Sequence, residues 1–130
     1  MAEWVYYNPN PYGAKTGDCV VRAISAATKQ DWDKTYTGLT FQGFVLKDMP
    51  SSNYVWAEYL KSKGFERKVI PNTCPVCYTV EDFASDHPRG VYVIGTGTHC
   101  VTVIDGNIYD SWDSRGEVAT CYFEEVKDGV

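Results

Sequence analysis

The sequence lacks the features that would place a protein in a membrane or on nucleic acid. It has no apolar run of transmembrane length, and its first residues, Met1-Ala2-Glu3-Trp4, have neither the basic region nor the apolar core of a secretory signal. It also lacks a cluster of Lys and Arg, and its net charge is −5. Because a nucleic-acid backbone attracts positive charge, we expect no binding to nucleic acid. Since the sequence shows neither a membrane segment nor a secretory signal, we also expect a cytoplasmic protein that does not bind membranes.

The sequence also lacks internal repeats, linkers and low-complexity segments. Its 130 residues match the length of one domain, and its 44% hydrophobic and 15% aromatic residues are ample for a core. We therefore predict a single domain over residues 1–130. The five cysteines are an odd number in a chain without an export signal, which indicates a reducing compartment and free thiols.

One pair of cysteines, Cys74 and Cys77, has the CxxC spacing that serves zinc binding or redox chemistry. No second CxxC and no pair of histidines follows at the spacing of a zinc ribbon. A redox motif would open a helix, yet Thr79 is the better helix cap, which leaves Cys77 outside the helix. Zinc and redox roles remain alternatives, but the pattern favours a plain loop without metal or cofactor.

Hydrophobic periodicity predicts helices mainly in the first half of the chain and strands mainly in the second half. The predicted helices are Asp18–Lys29, a helix from Asp31 through Leu39, Ser52–Lys63 and Thr79–Asp86. The predicted strands are Phe65–Ile70, Gly90–Gly95, the two strands of a hairpin and Val118–Val126. This order is typical of an α+β fold, in which N-terminal helices pack on a C-terminal antiparallel sheet.

The first predicted helix opens on a cysteine. Asp18 is a favourable N-cap residue, and apolar residues recur after it at helical spacing: Cys19, Val20, Ala23, Ile24 and Ala27. A cysteine in the first turn lies beside unpaired backbone N–H groups and the positive end of the helix dipole, and both stabilise a thiolate. Cys19 is therefore a candidate nucleophile, although a cysteine on an apolar helical face is also a common core residue.

A β-hairpin is predicted over residues 99–112. Two runs of β-branched and aromatic residues, Val101–Ile104 and Asn107–Trp112, flank the dipeptide Asp105-Gly106. Asp-Gly suits a two-residue type I′ turn, which needs a positive φ at both central positions. With this turn, the predicted cross-strand pairs are Ile104–Asn107, Val103–Ile108, Val101–Asp110 and His99–Trp112.

The predicted register brings His99 and Asp110 to the same face of the hairpin. Side chains alternate between the faces of a strand, so these two residues are diagonal neighbours about 7–8 Å apart at Cα. Asp113 falls on the opposite face, and Asp105 is held in the turn. A carboxylate at this position can orient an imidazole, so Cys19, His99 and Asp110 are the candidate residues of a Cys-His-Asp nucleophilic site.

The segment Gly17–Ala23, taken with the histidine and aspartate of the hairpin, resembles papain-like cysteine peptidases of the small bacterial and phage kind, close to the bacteriocin-processing peptidase-like group. The resemblance covers most of the chain and implies a papain-like α+β fold. It also implies the roles of the three residues. Cys19 would be the nucleophile, His99 the general base and Asp110 the residue that orients the imidazole.

The oxyanion-binding side chain of that family is usually a Gln several residues before the cysteine, and this chain has no Gln there. The nearest amides are Asn8 and Asn10, and we predict that one or the other forms the oxyanion site with the backbone N–H of Cys19. The glycine that commonly follows the family's cysteine is Val20 in this chain.

These features predict a thiol hydrolase, a cysteine peptidase or amidase-like enzyme, that cleaves a peptide, isopeptide or amide bond of a peptide or protein substrate. The alternative is a catalytically inert papain-like binding module, for example a phage protein that binds a host factor. The missing Gln and the replaced glycine are the features that keep this alternative open. Reactivity of Cys19 toward a thiol-directed electrophile distinguishes the two functions.

Overall fold

The computed structural model of the protein describes residues 2–126. Its helices are α1 (Cys19–Thr28), α2 (Trp32–Leu46), α3 (Asn53–Ser62) and α4 (Val80–Asp86). Its strands are β1 (Glu3–Tyr6), β2 (Phe65–Val69), β3 (Val91–Gly95), β4 (Cys100–Ile104), β5 (Asn107–Asp110) and β6 (Cys121–Glu125). The predicted α+β class is thereby confirmed for this part of the chain. None of the helices within residues 2–126 has the length and apolar character needed to cross a bilayer.

The strands form one sheet in the order β1-β5-β4-β3-β6-β2. The neighbouring pairs among β2 to β6 are antiparallel, as predicted, whereas the sequence analysis does not predict β1, which runs parallel to β5 at the edge of the sheet. The contacts that hold β1 are distant in sequence. The indole of Trp4 and the backbone N–H of Tyr7 both donate to the backbone carbonyl of Asp110, at 3.0 and 2.8 Å. A strand of four residues held in this way has little local signal of its own.

Helices cover both faces of the sheet. Consecutive residues of β3 point to opposite sides, so Val93 packs among α1, α2 and α3, while Tyr92 packs against α4. Ile24 of α1 and Leu60 of α3 are fully buried on the first side, and Phe83 of α4 is fully buried on the second. Two layers of apolar side chains therefore hold the sheet between the helices.

Helix α2 extends past the stretch that the sequence predicts. It begins after Asp31, whose carboxylate caps a backbone N–H of the first turn, and it runs beyond Leu39 to Leu46. A glycine inside a helix, such as Gly38, ordinarily weakens it. In the structure, a Cβ at Gly38 would lie 2.6 Å from the hydroxyl of Tyr59, so this glycine allows α3 to approach α2 closely.

The hairpin has the predicted turn and register. Asp105 and Gly106 have φ values of 50° and 80°, as a type I′ turn requires. Ile104 pairs with Asn107 and Val103 with Ile108, as predicted, and the ladder ends one pair further on, before the other two predicted pairs. The turn dipeptide therefore determines which residues of β4 and β5 lie opposite each other.

A disulfide joins Cys74 and Cys77 in the loop between β2 and α4. A hydrogen bond from the backbone N–H of Val76 to the carbonyl of Thr73, at 3.1 Å, closes this turn, and the two cysteine Cα atoms are 4.1 Å apart. The predicted loop position is confirmed, whereas the expectation that all cysteines are free is wrong. The remaining cysteines are free: Cys19, Cys100 and Cys121.

Replacing Gly106 with Ala should destabilise the protein by about 1–2 kcal/mol, because an L side chain is strained at a φ of +80°. The new Cβ would also lie 3.4 Å from the carbonyl oxygen of Ala84. Urea denaturation measures the loss. The matched control is Gly116→Ala, where no atom lies within 4 Å, and its free energy of unfolding should change by less than about 0.5 kcal/mol. Equal stability of the two variants would contradict the observed turn.

Thiol titration of the denatured protein should detect three thiols before reduction and five after it, because Cys74 and Cys77 are joined by a disulfide. A double variant, Cys74→Ser with Cys77→Ser, should give three thiols under both conditions. Detection of five thiols in unreduced protein would show that this pair is open.

Candidate active site

Three chain segments meet at one end of the sheet. Strand β4 begins directly after His99, and its antiparallel neighbour β5 ends at Asp110, so both residues lie at the same end of the hairpin. Helix α1 begins at Cys19 and packs on β4, where the hydroxyl of Thr102 donates to a backbone carbonyl of α1. The start of α1 is therefore held beside the start of β4.

The structure brings Cys19, His99 and Asp110 together. Nε2 of His99 lies 2.6 Å from Oδ2 of Asp110, in agreement with the register that the turn predicts. The thiol of Cys19 lies beside the imidazole of His99, and this proximity lowers the pKa of the thiol through hydrogen bonding and charge. Since Asp110 occupies Nε2, Nδ1 is the ring nitrogen left to interact with the thiol. The three side chains thus form a continuous row of sulfur, imidazole and carboxylate.

The carboxylate of Asp110 is 1% exposed and accepts four hydrogen bonds. Oδ2 accepts from His99 and, at 2.7 Å, from the hydroxyl of Ser114. Oδ1 accepts from the backbone N–H of Ser111 at 2.7 Å and from Nε of Arg22 at 3.0 Å. Burial on its own would raise the pKa of Asp110, but the bonds from His99 and Ser114 and the nearby positive charges lower it. The group is therefore a fixed anion.

The pKa of Cys19 is lowered and the pKa of His99 is raised relative to their ordinary values. Burial alone would raise the pKa of the Cys19 thiol, but the hydrogen bond and charge of His99, with the backbone N–H of Cys100, lower it below its ordinary value of 9.0. Burial alone would lower the pKa of His99, but its hydrogen bonds to Asp110 and Cys19 raise it from 6.5 to about 9. Both shifts favour a thiolate–imidazolium pair at neutral pH.

The indole of Trp112 lies against the imidazole of His99. Their ring centroids are 4.7 Å apart and the planes are inclined at 46°. The predicted hairpin register pairs these two residues, and their rings touch although both lie outside the regular strands. With Trp112 on one side, the His99 side chain is only 8% exposed, which limits the access of water to its bond with Asp110.

A cleft of about 790 Å³ opens beside Cys19 and His99. Its volume lies in the range of sites that hold ligands. Aromatic and aliphatic residues form much of its lining: Trp32, Tyr36, Leu39, Trp56 and Phe123. Polar residues also line it: Asn53, Arg67, Thr96, Thr98 and Thr120. A ligand with both apolar and polar groups can therefore reach the sulfur.

The two asparagines predicted for the oxyanion site lie in different places. Asn10 lines the cleft, and its side-chain oxygen accepts from the backbone N–H groups of Tyr12 and Ala14, at 2.9 and 3.3 Å. These bonds leave its amide nitrogen as the group that could donate to a ligand. Asn8 does not line the cleft, and its amide nitrogen donates to the carbonyl of Ala14 at 3.4 Å. The backbone N–H of Cys19 is in the first turn of α1, where no helical acceptor exists.

Asp18 occupies the N-cap position of α1, but the predicted capping hydrogen bond is absent. Its carboxylate instead accepts from the guanidinium of Arg22 at 2.7 Å and from the indole of Trp32 at 2.9 Å. Arg22, which also donates to Asp110, is not identified by the sequence patterns above. One signal could have indicated it, because Asp18 and Arg22 have the i,i+4 spacing of a helical ion pair.

Within the part of the chain that the structure describes, no group of three or more His, Cys, Asp or Glu side chains is placed to hold a metal ion. The comparisons with known proteins also yield no relative: no family model, no curated protein and no solved structure matches the chain.

Iodoacetamide should alkylate Cys19 at about pH 6, well below the pKa of an ordinary thiol, because its partner His99 favours the thiolate. Cys100 should stay unmodified, because burial raises the pKa of its thiol well above 9.0. His99→Ala should slow the alkylation of Cys19 at this pH by about tenfold or more, since each pKa unit changes the thiolate fraction tenfold. Peptide mass spectrometry measures the rate at each position.

The matched control for this experiment is His87→Ala. His87 is the other histidine of the chain, and it stacks on Phe83 of α4 at a centroid distance of 3.8 Å. Its loss should leave the alkylation of Cys19 unchanged. An equal rate in the His99 variant and the control would contradict the influence of His99 on the Cys19 thiol.

Proposed function

We propose that the protein is a thiol hydrolase, a cysteine peptidase or amidase-like enzyme, that acts on a peptide, isopeptide or amide bond. The observation that carries the proposal is the row of Cys19, His99 and Asp110 beside an open cleft. These groups are the nucleophile, the base and the orienting acceptor that nucleophilic acyl transfer needs. The substrate class that fits such a site is a peptide or protein.

A papain-like arrangement is part of the same proposal. It is supported by the element on which each residue lies. Cys19 opens a helix that packs on the sheet, His99 precedes a strand of that sheet, and Asp110 ends the adjacent strand. The same three placements are what the resemblance implies for a papain-like fold.

In the proposed first step, the thiolate of Cys19 attacks the carbonyl carbon of the scissile bond. The oxyanion that forms accepts hydrogen bonds from the backbone N–H of Cys19 and from the side-chain amide of Asn10. As the C–N bond breaks, the imidazolium of His99 gives its proton to the leaving amine. A thioester on Cys19 remains, and the amine product departs.

In the proposed second step, water attacks the thioester. His99, now neutral, takes a proton from the water, and the C–S bond breaks to release the carboxylic acid and restore the thiolate–imidazolium pair. Throughout both steps, Asp110 holds one tautomer and one orientation of the imidazole. No other group has to change its protonation state.

Cleavage of a defined peptide library, read by mass spectrometry, tests the proposal. Cys19→Ala should abolish cleavage. Asp110→Ala should lower kcat/KM by about 10–100-fold or more, because the ring loses its orienting acceptor. Asp110→Asn should keep part of the activity, because an amide oxygen can still accept a hydrogen bond from His99.

The matched control is Asp113→Ala. Asp113 is exposed and pairs with Arg115 at 2.8 Å, away from the imidazole. This variant should cleave at close to the wild-type rate. Loss of activity in the Asp113 variant with retention in Asp110→Ala would require a different set of catalytic residues.

A second candidate function is a non-catalytic binding module that occupies another protein. The observation in its favour is an exposed apolar face on α2, where Phe41 and Phe44 are each 67% exposed and Val45 is 54% exposed. If the protein is an inert module, we expect that no library peptide is cleaved and that Cys19 reacts with iodoacetamide like an ordinary thiol. Alkylation of Cys19 at low pH together with cleavage excludes it.

A further inference from the structure

A buried arginine that the proposed chemistry does not use lies behind the candidate triad. We propose that Arg22 is a positioning residue, which holds the Asp110 carboxylate in place and thereby aligns His99 with Cys19. This inference rests on the proposed function, because it assigns Arg22 to the thiol–imidazole pair of that mechanism. Its basis is geometric: Nε of Arg22 donates at 3.0 Å to Oδ1 of Asp110, the oxygen that His99 does not use.

Arg22 is itself held from its other side. Its Nη1 donates at 2.7 Å to Oδ1 of Asp18, and Oδ2 of Asp18 accepts from the indole of Trp32 at 2.9 Å. Trp32 lines the cleft and stacks on Tyr36 at a centroid distance of 4.9 Å. A continuous row of hydrogen bonds therefore runs from the wall of the cleft to the imidazole, with Arg22 at its centre.

The burial of these groups makes the arginine necessary. Asp18, Arg22 and Asp110 are 7%, 5% and 1% exposed, and one cation lies between two anions. Among the described residues, no buried side-chain nitrogen or oxygen lacks a hydrogen-bond partner. Loss of the cation would leave two buried carboxylates without their shared counter-ion, which is strongly unfavourable.

The position of Arg22 on α1 links the two halves of the site. Cys19 and Arg22 are three residues apart on the same helix, so they lie on neighbouring parts of its surface. The bond from Arg22 to Asp110 ties this helix to β5, whose last residue holds His99. The element that carries the sulfur is therefore joined directly to the group that orients the imidazole.

The fork of the guanidinium suits this role better than an ammonium group. Arg22 uses two different nitrogens to reach two carboxylates on different elements. A lysine carries one nitrogen, which keeps the charge but cannot reproduce both bonds in the same directions. Lysine and glutamine at this position therefore separate the charge of Arg22 from its geometry.

The pH profile of Cys19 alkylation tests the inference, because a purely structural contact would not change it. The groups that influence the thiol are His99 before β4, Cys100 on β4 and Arg22 on α1, with Asp110 on β5 acting through His99. Arg22→Gln should slow alkylation by iodoacetamide at about pH 6 by about tenfold, as for a one-unit rise in the thiol pKa. Arg22→Lys should have a smaller effect in the same direction.

The matched control is Arg115→Gln, which removes the same charge from an exposed arginine that pairs with Asp113. It should have the wild-type alkylation profile. If folded Arg22→Gln and Arg22→Lys both have the wild-type profile, while wild-type Cys19 reacts at low pH, the inference is overturned and the proposed function stands. If wild-type Cys19 itself reacts only near its ordinary pKa, the proposed function fails first.

A measurement on the unmodified protein covers the case in which the variants do not fold. In ¹⁵N-labelled wild-type protein, the Nε–H signal of Arg22 should exchange slowly with water and should shift when Cys19 is alkylated. Alkylation removes the thiolate, so the charge on His99 and the bond strengths at Asp110 change with it. The Nε–H signal of Arg115 is the internal reference. An unchanged Arg22 signal would overturn the inference.

Discussion

The Asp110 carboxylate is the group on which the arrangement of the site depends. Its two oxygens bind groups from three places in the fold, namely His99 before β4, Arg22 of α1 and Ser114 after β5. Its backbone carbonyl accepts from Trp4, so the edge strand β1 is attached to the same residue. Because a buried carboxylate is stable only when it is fully hydrogen-bonded, these elements are held together at one point.

The charge of this carboxylate determines the chemistry available at the cleft. A fixed anion next to His99 favours the imidazolium form, and the imidazolium favours the thiolate of Cys19. Arg22 neutralises the far side of the carboxylate, so the site does not accumulate negative charge behind the nucleophile. In a partly buried environment these interactions are stronger than in water. The thiolate–imidazolium form of Cys19 and His99 is therefore favoured by a row of charges that alternate in sign.

Much of the candidate site could be predicted from the sequence because its parts are local. Asp105-Gly106 specifies a two-residue turn, and the two-residue period of the strands then places His99 near Asp110. The helical spacing of apolar residues after position 18 predicts that Cys19 begins a helix that packs on the sheet. Each of these inferences needs only neighbouring residues and a backbone period. The α+β class follows from the same periods.

Other features depend on contacts between residues that are far apart in the sequence. Trp4 and Asp110 are 106 positions apart and Arg22 and Asp110 are 88 apart, so neither the parallel edge strand nor the buried arginine has a local pattern. By local rules Asp18 is an N-cap, yet its carboxylate pairs with Arg22 instead of capping the helix. Arg22 is buried, and its two carboxylate partners are Asp18 and Asp110. The sequence by itself determined the turn, the helix start and the identity of the candidate site residues. Only the tertiary structure decided which buried charges neutralise one another, because desolvation depends on the whole fold.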